Sequence, residues 1–230
     1  MVELVPPHVM PHRILDAGCG TGAGLSLARS RWPSSRITGI DIAPGMIRCA
    51  AETFTNDRQL DLVVADLMRY EPAGRFDAII SSSALHWIRP FEHCLVHLAG
   101  MLNDGGCLAV GVMLDGTLSE LRSAREAVVP AKIPRVRLPS FDDLQHAARL
   151  VRGARVRRIE QSVNEIDFDD AWTFLRSIHA MGVTGGDISG HSHPLTRREL
   201  QNLAAWYDLH ANAARGVRAT FVTGYVMMET

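Results

Sequence analysis

Long apolar runs are missing from this 230-residue chain. The longest, Leu108 to Leu114, contains a glycine and is far shorter than the ~20 residues that a membrane-spanning helix needs. Residues 1–12 contain a proline pair and no basic segment ahead of an apolar run, so they do not resemble a secretory signal. We therefore expect a cytoplasmic location and no membrane partner.

Cysteine is scarce, and its four widely spaced residues, none in a C-x-x-C pair, are too few for a disulfide scaffold. His93 and His97 have the helical spacing of a zinc pair but lack the accompanying glutamate and a clear third ligand. His191 and His193 fall in a segment rich in glycine and serine, where exposed histidines are common. We expect no bound metal. The cysteines are Cys19, Cys49, Cys94 and Cys107.

Lysine is almost absent, since Lys132 is the only one among 24 basic residues, and the formal net charge is −1. The basic residues are unevenly spread, because residues 131–160 hold eight of them against three acids. This basic patch is either a solvated face or a docking surface for an acidic partner. It lacks the interleaved aromatic residues that bind single-stranded nucleic acid, so we expect no nucleic-acid partner. The patch consists of Lys132, Arg135, Arg137, Arg149, Arg152, Arg155, Arg157 and Arg158.

The first half of the chain alternates short β-branched or aliphatic runs with helical patterns. This alternation is typical of βαβ units with right-handed crossovers and predicts a doubly wound parallel sheet. Asn103 to Gly106 are predicted to form a turn. The predicted strands are 13–16, 36–41, 60–65, 76–81 and 107–114, and the predicted helices are 25–32, 44–55 and 90–102.

The second half is mainly helical but contains two more strand patterns. We expect these strands to complete a seven-stranded Rossmann-like α/β sheet, with a helical cap inserted late in the chain. The predicted organisation is one structural domain with a cofactor-binding core (1–115), a cap and substrate region with one sheet strand (116–216) and a final strand (217–230). The predicted helices are 118–128, 141–150, 171–179 and 197–212, and the predicted strands are 155–168 and 217–227.

A glycine-rich turn follows the first strand, where backbone can approach a ligand closely. Gly18, Gly20 and Gly22 alternate in this turn, and Asp16 lies two residues before it. The carboxylate of Asp16 would repel a pyrophosphate but suit a ligand with an ammonium and a sulfonium group. We favour S-adenosylmethionine, with a nicotinamide or flavin dinucleotide and an empty structural turn as the alternatives.

Further candidate cofactor residues follow the next three strands. Asp41 can accept both hydroxyls of a ribose, although an aspartate at a strand end is often a helix cap. Asp66 can accept from an adenine amino group, or it can cap the turn before Met68. The remaining candidates are the apolar walls Ile42 and Met46, which core packing explains equally well, Leu67 next to Asp66, and the site floor, Ser81 and Ser82.

These motifs resemble the class I S-adenosylmethionine-dependent methyltransferases. The resemblance rests on I-L-D-A-G-C-G-T-G at 14–22, Asp41, A-D-L at 65–67 and F-D-A-I-I-S-S-S-A-L-H-W at 76–87. Later runs are similar, more narrowly, to the malonyl-acyl-carrier-protein O-methyltransferases of biotin synthesis. These runs are G-T-L-S-E-L-R at 116–122, L-P-S-F-D-D-L at 138–144, F-L-R-S-I-H-A-M-G-V-T-G at 174–185 and L-T-R-R-E-L at 195–200. That family also has an N-terminal helical segment with a tyrosine, and the twelve residues before Arg13 contain no counterpart.

The resemblance implies methyl transfer to the carboxyl of a malonyl group on an acyl carrier protein, whose acidity would suit the basic patch. An ionised carboxylate needs a positioning cation and no general base, and Arg176 is our candidate for that cation. We expect Arg176 and His179 to share an inward face of their helix with Trp172, and His86 to wall the substrate channel. The alternative is that Arg176 is a surface arginine on an amphipathic helix.

Two other functions remain open at this stage. One is methylation of a small free carboxylate, such as an aconitate-like acid, without a protein partner. The other is a non-catalytic methyltransferase fold that binds a ligand or a partner, although the intact glycine turn and the strand-end aspartates argue against it.

Overall fold

A sheet of seven strands organises the chain. The computed structural model describes residues 1–133, 137–180, 195–211, 213 and 215–230. Within them the strands are β1 (Arg13–Ala17), β2 (Arg36–Asp41), β3 (Leu60–Val64), β4 (Phe76–Ser82), β5 (Leu102–Met113), β6 (Arg155–Phe168) and β7 (Val217–Glu229). The α-helices are α1 (Ala23–Arg31), α2 (Pro44–Thr53), α3 (Phe91–Ala99), α4 (Ser119–Val128), α5 (Phe141–Leu150), α6 (Ala171–Ala180) and α7 (Arg197–His210). The strand order is β3-β2-β1-β4-β5-β7-β6.

The first five strands are parallel, as a doubly wound fold requires. β1 lies between β2 and β4, so Asp16 is opposite Gly39 on one side and Ile80 on the other. β2 continues to β3 and β4 to β5, also in parallel. Ile79 and Ile80 are both buried, which is the pattern of a parallel strand covered on both faces. The predicted alternation of strand and helix is confirmed.

β7 runs antiparallel to β5. The backbone N–H of Thr230 donates to the carbonyl of Gly106, whereas that of Leu114 donates to the carbonyl of Val222. Residue numbers therefore rise along one strand as they fall along the other, which is antiparallel pairing. β6 follows β7 at the edge of the sheet. The predicted fold class, a seven-stranded Rossmann-like sheet, is confirmed.

The predicted turn at Asn103–Gly106 is wrong, because these residues belong to β5. Phe76 pairs with Leu102, but Ala78 already pairs with Cys107, so β5 carries a bulge opposite Asp77. The Asn103 side chain donates to the carboxylate of Asp77 over 2.7 Å and holds the bulge in place. The preceding helix accordingly ends at Ala99 and not at residue 102.

Two compact units divide the chain, and each has an apolar core. The first contains residues 1–113, 139–161 and 224–230. It therefore includes α5 and the start of β6, which the sequence analysis assigned to the cap region. Its core is formed by Ile14, Ile37, Ile80 and other apolar residues of the sheet and its helices.

The second unit contains residues 114–138 and 162–223. In its core the Phe174 ring stacks on Tyr207 with ring centroids 4.9 Å apart, and the Tyr207 hydroxyl donates to the carbonyl of Arg218. Lys132 Nζ lies 2.7 Å from the Glu199 carboxylate. The hydrogen bond from Lys132, with further bonds from Thr196, lowers the pKa of Glu199 to about 2.

The cysteines differ sharply in exposure. Cys19, Cys94 and Cys107 are buried, and burial raises the pKa of each thiol to about 12. Cys49, on α2, is exposed, and all four thiols are free. In the part of the chain that the structure describes, no helix has the length and apolarity to cross a membrane, and no group of three metal-ligating side chains gathers. His191 and His193 lie outside the described residues.

Candidate functional site

The carboxyl ends of β1, β2 and β4 meet at one edge of the sheet and bring the predicted cofactor residues together. The parallel register places Asp16 beside β2 and β4, and Asp41 opposite Val64 of β3. Asp66 follows β3 directly. In an open α/β sheet, this edge is where ligands bind.

The glycine turn after β1 has a backbone that other residues rarely adopt. Gly18, Gly20 and Gly22 all have positive φ, at +77°, +54° and +96°. A Cβ at Gly18 would lie 2.2 Å from the Cβ of Ala84, whereas a Cβ at Gly20 would meet no atom of the described residues within 4 Å. The turn is therefore packed against the chain at Gly18 and open at Gly20, where a ligand could approach.

Asp16 is the most unusual side chain at this edge. It is 2% exposed, and its Oδ2 atom accepts no hydrogen bond from any residue that the structure describes. Burial, with the nearby charge of Asp41, raises the pKa of this carboxyl to about 7. A buried polar atom without a partner is costly, so this oxygen suits a cationic donor of a ligand.

Gly24, in the first turn of α1, is a site residue that the sequence analysis missed. A Cβ at this position would lie 2.5 Å from Oδ2 of Asp16. Only glycine therefore leaves room for the carboxyl. Gly24 continues the alternating series of Gly18, Gly20 and Gly22, and this fourth member was the available signal.

Asp41 ties the glycine turn to the end of β2. One carboxylate oxygen accepts from the N–H of Gly20 over 3.0 Å, and the other accepts from the N–H of Ala43 over 2.9 Å. Each oxygen retains a further lone pair. Ala43 is itself the N-cap residue of α2, and no side chain of the described residues caps that helix, so Asp41 is not a helix cap and the ribose role stays a prediction.

Asp66 caps the turn that follows it. Its Oδ1 accepts from the N–H of Met68 over 3.0 Å, at the start of a short 3-10 helix, Leu67–Arg69. The role in adenine recognition stays a prediction. Leu67 is buried, which fits core packing.

The proposed apolar walls differ in exposure. Ile42 is 69% exposed, so it is not core packing, and a flat ring could cover it. Met46 is only partly buried on α2. Both residues lie on the segment that follows Asp41 in the chain.

The two candidate floor serines differ in the same way. Ser81 is fully buried, and its hydroxyl donates to the carbonyl of Ala17 over 2.7 Å, which ties β4 to the end of β1. Ser82 is exposed at the end of β4. Of the two, Ser82 is the one whose hydroxyl can reach a ligand.

His86 lies just after β4 and is buried. Burial, and then the charge of Arg89, lowers the pKa of its ring to about 4. Its Nδ1 accepts weakly from the N–H of Met113 over 3.4 Å, and its ring lies 4.6 Å from that of Trp87. His86 is therefore neutral at physiological pH and can serve as a wall but not as a cation.

The predicted inward face of α6 is wrong. The buried residues are Ala171, Phe174 and Ile178, whereas Arg176 and His179 are exposed. The helix is rotated relative to the prediction because Phe174 is drawn into the core of the second unit. Arg176 donates to the hydroxyl of Thr173 over 3.2 Å. The charge of Arg176 also contributes to the lowered pKa of Asp170, after the hydrogen bonds from Thr173.

The first unit thus gathers Asp16, the glycine turn, Asp41, Asp66 and Ser82, whereas Arg176 and His179 belong to the second. The gathered groups fit a ligand that carries a cation, a vicinal diol and a flat ring. Oδ2 of Asp16 is available to accept from such a cation, Asp41 has lone pairs for a diol, and Ile42 is open to a ring.

Comparisons with known proteins agree with this reading. A family model described as a methyltransferase domain matches residues 14–106. Malonyl-[acyl-carrier protein] O-methyltransferase from Geobacter sulfurreducens is 30% identical over 233 residues, which cover 94% of this chain and 83% of that protein. Trans-aconitate 2-methyltransferase from Klebsiella pneumoniae is 36% identical over 103 residues, which cover 45% of this chain and 40% of that protein.

Solved structures share the fold. The YcgJ protein from Bacillus subtilis matches with a TM-score of 0.66 at 14% identity, covering 100% of this chain and 96% of that chain. Phosphoethanolamine N-methyltransferase 2 from Haemonchus contortus, in complex with S-adenosyl-L-methionine, matches with a TM-score of 0.62 at 19% identity. That match covers 100% of this chain and 51% of the other. At these identities the likeness shows the fold alone.

Proposed function

We propose that this chain, which belongs to the class I S-adenosylmethionine-dependent methyltransferases, methylates the free carboxyl of a malonyl thioester on an acyl carrier protein. S-adenosylmethionine is its cofactor. The similarity to a malonyl-[acyl-carrier protein] O-methyltransferase along 83% of that protein carries the choice of acceptor. The proposal places the chain in the cytoplasm, at a step of biotin synthesis.

The residues at the sheet edge have distinct proposed roles toward the cofactor. Asp16 accepts from the ammonium group through its unpaired Oδ2, and Asp41 accepts from the ribose hydroxyls. Asp66 and Ile42 contact the adenine. When bound, the cofactor supplies a methyl group on a positively charged sulfur.

The acceptor needs little chemistry from the protein. A carboxylate is already ionised at neutral pH, so its oxygen can bond to the methyl carbon as the bond from that carbon to sulfur breaks. A general base is unnecessary, which fits the neutral, buried His86. The protein's part is to hold the carboxylate in line and keep water out.

The basic patch supports an acidic protein partner. Lys132, Arg137, Arg157 and Arg158 form ion pairs with nearby acids, and Arg135 lies outside the described residues. Arg149, Arg152 and Arg155 are exposed and form no ion pair among the residues that the structure describes. Of these, we assign Arg149 and Arg152 to steering of the carrier protein.

A second candidate function is methylation of a small free carboxylic acid. It is favoured by the 36% identity to a trans-aconitate 2-methyltransferase, although the match covers only 45% of this chain.

The test is transfer of labelled methyl from S-adenosylmethionine to three acceptors: malonyl carrier protein, malonyl-CoA and trans-aconitate. We expect the highest kcat/KM with malonyl carrier protein. The double variant Arg149→Glu/Arg152→Glu should raise KM for the carrier protein about tenfold at low salt and leave malonyl-CoA unchanged, because exposed charges act on association. Preference for trans-aconitate would establish the second function, and binding of S-adenosylhomocysteine without any transfer would exclude both.

Arg176 is the proposed cation for the acceptor carboxylate. Arg176→Ala should lower kcat/KM about tenfold, a modest loss because the guanidinium is exposed and screened by water. Arg176→Lys should recover part of the activity, since an ammonium keeps the charge but not the bidentate geometry. Affinity for S-adenosylhomocysteine should be unchanged in both variants. Full activity in Arg176→Ala would move the role to Arg197 or Arg198.

A further inference from the structure

The edge strand β6 is unusually long and open. It spans 14 residues, and none of them is buried. It contains no proline or glycine that would interrupt pairing. Val156, Val163 and Ile166 are apolar and exposed, with 38%, 57% and 46% of their surface accessible. A regular edge of this kind can accept another strand.

Charge along β6 is segregated by sign. Arg155, Arg157 and Arg158 occupy its first part, and Glu165 and Asp167 its last part, while Glu160, near the middle, is ion-paired with Arg158 over 2.7 Å. An antiparallel copy of the same strand would therefore place basic residues opposite acidic ones.

Some of these charges already interact with β7. Arg157 lies 2.6 Å from Glu229, and Arg218 contacts both Glu165 and Asp167, over 2.6 and 3.0 Å. In each of these contacts a charged residue of β6 lies beside a residue of opposite charge on β7. Arg155 has no ion pair in the described part of the chain.

We propose that β6 pairs in antiparallel fashion with β6 of a second copy of this chain, centred on Gln161. In this register Arg155 lies opposite Asp167 of the second copy, and Arg157 lies opposite Glu165 of the second copy. Opposite charges directly across an antiparallel pair are stabilising, and each contact occurs twice because the interface is two-fold symmetric.

The apolar residues select the same register. Val156 lies opposite Ile166 of the second copy, and Ile159 lies opposite Val163. The neighbouring registers are worse. A centre at residue 160 sets Glu160 against its own copy, and a centre at residue 162 sets Ile159 against Glu165.

The alternative use of this edge is protection, because charged side chains on an edge strand often prevent association. Protection alone does not require Arg155 and Arg157 to lie symmetrically to Asp167 and Glu165 about Gln161. The two uses predict different masses in solution, and the surface is separate from the residues assigned to steering of the carrier protein.

The test is the mass of the full-length chain by sedimentation or light scattering at micromolar concentration. We expect twice the 25.3 kDa of one chain. Arg155→Glu, which removes two symmetric attractions and no ion pair with another described residue of the same chain, should weaken association roughly tenfold or more. Arg152→Glu is the matched control, since it reverses a nearby exposed arginine outside the pairing, and it should leave the mass unchanged.

Charge exchange gives the decisive result. Asp167→Arg alone should also dissociate, but an equimolar mixture of the Arg155→Glu and Asp167→Arg chains should form a dimer, because every reversed residue then faces an opposite charge. If Asp167→Arg unfolds through loss of its contact with Arg218, the exposed Val163→Glu replaces it as a disrupting variant. A monomeric wild-type chain, or a dimer insensitive to Arg155→Glu and Val163→Glu, would overturn the proposal.

Discussion

Asp16→Asn should make the cofactor-free protein more stable at pH 8, by at most about 4 kcal/mol in the free energy of unfolding. Burial raises the pKa of this carboxyl from 3.8 to about 7, and each pKa unit corresponds to about 1.36 kcal/mol. Because the folded pKa is the higher one, ionisation favours the unfolded chain, and the wild type loses stability as pH rises from about 4 to about 7. The neutral amide avoids this loss.

Urea unfolding at several pH values measures the effect. The gain from Asp16→Asn should be near zero at pH 4 and reach its full size above pH 7. Asp104→Asn, at an exposed position, is the matched control and should change little at any pH. A destabilised Asp16→Asn protein at pH 8 would mean that the carboxylate is compensated by a group within the protein.

The same substitution should weaken binding of S-adenosylhomocysteine about a hundredfold, because it removes the proposed charged hydrogen bond to the ligand's ammonium at a buried position. Wild-type affinity should fall as pH drops below about 7, where Asp16 gains a proton, and the affinity of the variant should not follow pH over this range. Calorimetry checks both, and equal affinity of the two proteins would remove Asp16 from the cofactor site.

Gly18→Ala should lower the free energy of unfolding by about 3 kcal/mol or more. The new Cβ would lie 2.2 Å from the Cβ of Ala84, and the φ of +77° is itself unfavourable for alanine. Gly20→Ala is the matched control. This position also has positive φ, but the new Cβ would meet no atom within 4 Å in the described part of the chain, so the substitution should cost only about 1–2 kcal/mol.

The double variant Gly18→Ala/Ala84→Gly separates the two causes. Removal of the Cβ of residue 84 relieves the contact, so the double variant should recover most of the loss beyond that of Gly20→Ala. Unfolding experiments measure all four proteins. A Gly18→Ala variant no less stable than Gly20→Ala would show that the backbone around Ala84 shifts and relieves the contact at little cost.

The sheet could be predicted from the sequence because its signals are local. Each strand of the first half is a short apolar run that ends near a glycine, a proline or an acid, and the period changes at once to that of a helix. For the same reason Asp41 was placed correctly at the end of β2, and Asp16 was placed within one residue of the end of β1, which is Ala17. Parallel register then brings the two carboxylates close without any further information.

The face that α6 presents could not be predicted, because residues far along the chain decide it. Phe174 packs against Phe168 and Tyr207, and this contact, rather than the stripe that contains Arg176, sets the rotation of the helix. The sequence of α6 contains two apolar stripes that are offset by one residue. The local pattern does not indicate which of the two is buried.

The bulge in β5 was missed for a similar reason. Considered alone, the residues Asn103-Asp104-Gly105-Gly106 are typical of a turn. The carboxylate of Asp77 and the terminal residue Thr230 supply the hydrogen bonds that keep it within the strand. Those partners are distant in sequence, so only the fold reveals them.

The unequal burial of the four thiols leaves one cysteine of the native protein accessible to a thiol-reactive label. Cys49 is the exposed cysteine on α2, whereas Cys19, Cys94 and Cys107 are buried and resist ionisation. A maleimide dye would therefore attach at one position without any engineered residue. Because α2 begins just after Asp41 and carries Met46, a fluorophore there would report on ligand arrival at the sheet edge.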